Sequence, residues 1–234
     1  MQRFSVLLLA GVLASPALGD TTVYVGDSSA AWLGFQNVSF LDGTPAFGSP
    51  WGVFDLRAEF DDGADKLTLK PTPIDTADDY WYQTGAFGAP APPYGGPGAI
   101  GNKTMEANLY FEPGGLNGET VTFVGEVLSD TLSFDDPGDD PLTERTAQIF
   151  IKDFAPDYSS FESTIIDLVP GPFSISLDTI NDPARHVQWG ITWTGLNVWP
   201  SDIDNFGNIM IATPEPGTLV LLGLGGLMVL RRRA

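Results

Sequence analysis

The middle of this 234-residue chain predicts an all-β fold, an antiparallel β-sandwich of jelly-roll type. Three observations carry that expectation. Apolar and polar residues alternate with a period of two in several runs, which sets one apolar face against one polar face. Clusters of Gly, Pro and Asp separate the runs and supply turn chemistry. Helical spacing is confined to the two termini. Many short strands joined by such turns fit two packed sheets.

The strands are expected in this order. Thr21–Val25 is a short candidate. Phe54, Leu56, Ala58 and Phe60 alternate with Asp55, Arg57 and Glu59, ahead of a turn at Asp61-Asp62-Gly63. Leu67–Leu69 follows. Asp79-Tyr80-Trp81-Tyr82 reads as extended, and Ala86–Gly101, rich in Pro and Gly, as one long surface loop. Met105, Ala107, Leu109 and Phe111 alternate with Glu106, Asn108 and Tyr110. Val121, Phe123 and Val127 frame another strand, with a bulge expected at Gly125. Turns at Asp135–Gly138 and Asn181–Pro183 separate Gln148–Lys152, the Phe173–Leu177 alternation and the Val187–Trp193 alternation. Trp189 and Trp193 share the apolar face and are expected in the core. Asn208–Ile211 closes the domain, which is assigned residues 20–212.

The ends carry addresses. Met1-Gln2-Arg3 is a short positive region and Phe4–Ala14 an apolar one. In Ala17-Leu18-Gly19 the small residues Ala17 and Gly19 then place signal-peptidase cleavage between Gly19 and Asp20, so residues 1–19 read as a secretory signal helix. At the other end, residues 213–234 contain Pro214-Glu215-Pro216, the nearly continuous apolar run Thr218–Leu230, and Arg231-Arg232-Arg233. The apolar run is shorter than the ~20 residues that a bilayer core requires, and the arginine stems extend its reach. Their charge holds that end on the cytoplasmic side while the domain is outside. The prolines stop the terminal helix from continuing back into the domain.

This three-part tail resembles the PEP-CTERM sorting signal, with Pro214-Glu215-Pro216, the glycine-bearing apolar segment and the arginine cluster as the matching residues. The resemblance covers about the last tenth of the chain. It implies recognition by exosortase, a membrane transpeptidase-like enzyme that cuts near the motif, after transient membrane insertion. It further implies delivery through the inner membrane to the cell surface or extracellular matrix, in contact with extracellular polysaccharide. It implies nothing about the domain being carried. The stretch Val121–Ile211 resembles cargo domains found ahead of such tails and, more loosely, jelly-roll carbohydrate-binding modules. The residues concerned are Phe123-Val124-Gly125, Ile149–Phe154, Phe173-Ser174-Ile175, Val187–Gly190 and Asn197–Pro200. The carbohydrate-binding comparison rests on fold alone.

Charge and composition exclude several functions. The formal net charge is -19. Four of the 11 basic residues (Arg3 and Arg231–Arg233) and one of the 30 acids (Glu215) lie in the terminal segments, leaving 7 basic against 29 acidic residues between them. Such a surface repels phosphate backbones, so no nucleic-acid partner is expected. With no cysteine there is neither a disulfide nor a thiolate metal site. One histidine, His186, cannot build catalytic zinc. A Ser-His-Asp arrangement around it lacks a Gly-x-Ser-x-Gly elbow, so the structural reading of His186 is preferred.

Three groups of candidate residues remain. Flat rings stack on sugar faces, which makes Tyr80, Trp81, Tyr82 and the loop residue Trp199 a candidate glycan platform. The competing reading of Tyr80–Tyr82 is an edge strand partly covered by the Pro-rich loop. Asp-rich loops offer oxygen ligands, and Asp202-Ile203-Asp204-Asn205 begins like a calcium loop but lacks the Phe206-position ligand and the closing Glu. Asp202, Asp204 and Asn205 are thus the candidate structural calcium site, with no other cofactor. Paired carboxylates for glycoside hydrolysis arise by chance among 30 acids, so an enzyme is not expected. The leading expectation is an exported, non-enzymatic structural or binding module. The alternatives are a carbohydrate-binding or carbohydrate-active protein, and an unprocessed membrane-anchored surface protein.

Overall fold

A computed structural model describes residues 19–83, 94–134 and 145–213. The signal segment up to Leu18, and the sorting tail from Pro214 onward with the two helices expected there, lie outside these residues. So do most of the Pro-rich loop and the Asp135–Gly138 turn.

The strands among the described residues form two six-stranded sheets. The first holds β1 (Gly19–Tyr24), β4 (Ala58–Asp61), β5 (Lys66–Leu69), β7 (Glu119–Asp130), β10 (Gly171–Asp178) and β12 (Ile209–Ala212). The second runs β3 (Pro45–Trp51), β2 (Leu33–Phe40), β6 (Lys103–Phe111), β11 (His186–Leu196), β8 (Thr146–Phe154), β9 (Phe161–Asp167), antiparallel throughout. The chain crosses repeatedly between sheets, and their facing apolar sides form one core. Leu67, Leu69, Val121, Phe123, Ile209 and Ile211 oppose Ala107, Leu109, Ile149, Ile151, Ile191 and Trp193. Trp189 and Trp193 sit in this core as expected, 7% and 2% exposed. The Trp193 indole N–H donates to the Lys70 carbonyl at 2.9 Å, which satisfies its only polar atom.

The all-β, two-sheet expectation holds, with four corrections of detail. First, the sandwich is not wholly antiparallel: β1 runs parallel to β7, from Gly19 opposite Glu119 to Tyr24 opposite Val124. Hairpins impose antiparallel pairing. After β1 the chain crosses to β2 in the other sheet, so no hairpin sets its direction. β10 occupies the opposite edge of β7, and β1 and β12 share the remaining edge end to end.

Second, the alternation Phe54–Phe60 is only half strand. Residues 52–57 form a helical turn in which Leu56 N–H donates to Gly52 O and Arg57 N–H to Phe54 O. Phe54 is 67% exposed, and β4 starts at Ala58. Third, β7 passes straight through Gly125. The irregularity in pairing falls beyond it, where Met210 and Ile211 oppose Ser129 and Val127. Gly125 is needed for another reason: the Phe173 ring lies against it, and a Cβ there would approach that ring to 2.3 Å. Fourth, Asp79–Tyr82 is a turn rather than extended chain. The Asp78 side chain caps Trp81 N–H at 3.0 Å, and Tyr82 N–H donates to Asp78 O.

Three strands were not expected: β2, β3 and β9. The inward positions of β2 are Gly34, Gln36 and Val38, which share a face with Leu109, Ala107 and Met105 of β6. A glycine and a glutamine in that series hide the alternation. β3 contains Pro45 and Pro50, tolerable because it is an edge strand. β9 is the opposite edge and is exposed along most of its length.

Candidate functional site

At the β3 end of the second sheet, a smaller apolar cluster (Val38, Ile74, Tyr82, Ala99 and Met105) lies apart from the main core. It supports a band of aromatic rings. Phe40 meets Tyr80 edge-on at 6.4 Å, Tyr80 meets Trp81 at 5.0 Å, and Trp81 meets Phe47 at 6.2 Å. Phe40, Tyr80 and Phe47 are each exposed by a little over a third. Lys103 underpins the band. Its Nζ lies 4.1 Å from the Tyr80 ring and 4.7 Å from the Phe40 ring, and donates to the carbonyls of Tyr80 and Asn102. Burial lowers the pKa of Lys103, partly offset by Asp78.

Beside this band opens a cleft of about 690 Å³ lined by Trp51, Phe54, Asp55, Arg57, Asp75 and Trp81, among others. Sequence-distant pieces build it. Trp51 ends β3, with its indole N–H held by Ser49 Oγ at 3.0 Å. The turn after it presents Phe54, Asp55 and Arg57. The segment following β5 supplies Asp75, and the Asp78-capped turn supplies Trp81. The cleft is open to solvent, and its aromatic walls are interrupted by the charged groups of Asp55, Arg57 and Asp75.

The sequence-predicted aromatic residues therefore separate. Trp81 lines the cleft and Tyr80 flanks it. Tyr82 is 1% exposed, and its hydroxyl donates to the Ile74 carbonyl, with the Val198 carbonyl 2.9 Å away. Burial raises its pKa strongly. Trp199 packs on the Tyr82 ring at 5.5 Å, in the supporting cluster rather than on the platform. Trp51, Phe54 and Arg57 complete the cleft and were missed. The one available signal was a tryptophan at the end of a Pro/Gly-rich stretch, Gly48-Ser49-Pro50-Trp51-Gly52.

Asp202, Asp204 and Asn205 do not converge. They lie on a 3₁₀ helix, Pro200–Phe206. Buried Asp202 accepts Gly98 N–H at 2.5 Å and the Ser201 hydroxyl at 2.9 Å. Asp204 points away to Lys70 at 3.2 Å. Among the described residues no three acidic or histidine side chains group to hold a metal ion. His186 starts β11 and is tied to structure: its Nδ1 lies 2.9 Å from Glu112 Oε1, and its ring stacks on Tyr158 at 4.3 Å. Glu112 also accepts from Tyr158 at 2.9 Å and from Gln188 at 2.5 Å.

The other functional element begins at the end of the described residues. β12 lies between β5 and β7, and Thr213 next to it is pinned, its hydroxyl donating to Val25 O at 2.7 Å. One residue later comes Pro214-Glu215-Pro216. Residues 212–234 match the PEP-CTERM protein-sorting motif. This chain is a PEP-CTERM domain-containing protein. The motif marks it for recognition by exosortase during export, and so for the cell surface or extracellular space. No curated protein and no solved structure matches the chain. Among the described residues no helix is long and apolar enough to cross a membrane.

Proposed function

We propose that this PEP-CTERM protein is cut by signal peptidase between Gly19 and Asp20, released or transferred by exosortase near Pro214–Pro216, and serves in the extracellular matrix as a non-enzymatic β-sandwich that binds polysaccharide. The observation carrying the binding role is the aromatic cleft. Trp51, Phe54 and Trp81 wall a pocket of about 690 Å³ that continues into the exposed band of Phe47, Tyr80 and Phe40. Rings along a shallow track supply stacking faces for successive sugar units, and the destination implied by the tail puts polysaccharide within reach.

Binding of the exported protein to polysaccharide extracted from its own cell surface tests this. Retention should be lost in Trp81→Ala and kept in Trp189→Phe, a core control. Equal retention of wild type and Trp81→Ala would sink the assignment of the cleft. Asp55 and Asp75 line the same cleft, so release of reducing sugar during the assay would move the reading to a glycoside hydrolase.

A further inference from the structure

Arg57 is the unexplained residue of the cleft. Its backbone is left-handed, with φ 61, a conformation that costs an L-residue other than glycine and persists only where surrounding structure imposes it. That conformation closes the turn through Arg57 N–H to Phe54 O at 3.0 Å, and the Arg57 carbonyl accepts from Lys70 N–H at 3.1 Å. The guanidinium is laid over the Phe54 ring at 4.9 Å from its centroid. Its Nε is buried and has no hydrogen-bond partner. Among the described residues the guanidinium forms no ion pair, although Asp55 and Asp75 line the same cleft. Arg185 and Arg145, in contrast, are each paired with an aspartate. The buried Nε is closed to an incoming ligand, so its cost is paid to lay the guanidinium over Phe54. The two terminal nitrogens, which no acceptor among the described residues holds, are left for the cleft, and their planar fork fits a carboxylate through two parallel hydrogen bonds.

Resting on the polysaccharide-binding reading, we propose that the cleft takes an acidic sugar, a uronic-acid unit whose carboxylate is received by Arg57. Trp51, Phe54 and Trp81 meet the ring faces, and Asp55 and Asp75 accept from sugar hydroxyls. The charge balance narrows the ligand further. A domain with 7 basic against 29 acidic residues repels a continuous polyanion, so the favoured chain carries isolated acidic units among neutral ones.

The test uses the full chain and a neutral-backbone polysaccharide bearing glucuronic acid units, compared with the same polymer after reduction of its carboxyl groups to alcohols. Affinity is read by calorimetry or affinity electrophoresis. The acidic form should bind about tenfold more tightly, the scale of one charge-assisted contact. In Arg57→Asn, whose new side chain tolerates the left-handed backbone, the two forms should bind alike. In Arg57→Lys, part of the preference should remain. Equal wild-type binding of both forms overturns the acidic-sugar assignment and leaves the aromatic cleft standing. Failure of wild type to bind either form overturns both. An unchanged melting temperature in Arg57→Asn separates loss of recognition from loss of fold.

Discussion

Replacing Asp153 with leucine should be among the most damaging changes in the domain. Asp153 is the inward-facing residue after Ile151 on β8, and its side chain is fully buried. Its carboxylate accepts Arg185 Nε at 2.8 Å and Ile180 N–H at 2.7 Å, while Arg185 Nη2 donates to the Asp153 carbonyl at 2.7 Å. The Arg185 side chain is only 12% exposed. Asp153→Leu strands that guanidinium with one carbonyl and no counter-charge, at a cost of about 3–5 kcal/mol. Against a typical domain stability of roughly 5–15 kcal/mol this is a large share. In urea, with an m-value of about 2 kcal/mol per M, the midpoint should fall by roughly 2 M with the slope unchanged. The double variant Asp153→Leu/Arg185→Met removes the stranded charge and leaves neutral losses, the orphaned Ile180 N–H, worth about 1–3 kcal/mol, and the bond to the residue-153 carbonyl. It should therefore be more stable than the single variant. A single variant within about 1 kcal/mol of wild type, or a double variant weaker still, would refute the claim that a desolvated ion pair ties β8 to the loop before β11.

Gly125→Ala should lower stability by about 1–3 kcal/mol, because the added Cβ meets the Phe173 ring, and Phe173→Leu in the same chain should recover part of the loss in a thermal melt. The pKa of Tyr158 is pushed up to about 12 by burial and then by the hydrogen bond to, and charge of, Glu112. Because the folded state holds that proton more tightly than the unfolded chain does, the contribution is complete below pH 10. It is lost as pH rises from about 10 to about 12. Melting curves across that window should show the slope reduced in Tyr158→Phe. The intact mass of protein recovered from the cell surface or medium should correspond to a chain running from Asp20 to the neighbourhood of Pro214. A mass that still includes Thr218–Ala234 would favour the unprocessed, membrane-anchored alternative.

The sequence by itself determined the destination and the fold class. A sorting tail acts as a linear segment, so its proline pair, apolar run and arginines are readable before any folding occurs. Strands with one face in the core and one in water, such as β10, write their burial directly as alternation. β2 does not, because its inward face uses Gly34 and Gln36, and β9 does not, because an edge strand has little to bury. The false strand at Phe54 shows the converse: alternation without a neighbour to pair with folds instead into a turn, and the apolar Phe54 is left in the open. For the cleft, Trp81 was legible as an aromatic on a polar stretch, but its partners were not. Trp51, Arg57 and Asp75 reach it only because β3, the turn before β4 and the segment after β5 end at the same corner of the sandwich. Tyr82 and Trp199 look equally available in the sequence, and only the packing seals Tyr82 inside the smaller cluster and sets half-buried Trp199 against its ring. Convergence of distant segments, and the choice between a ring that faces solvent and one that supports it, are properties of sheet packing. No local pattern encodes them.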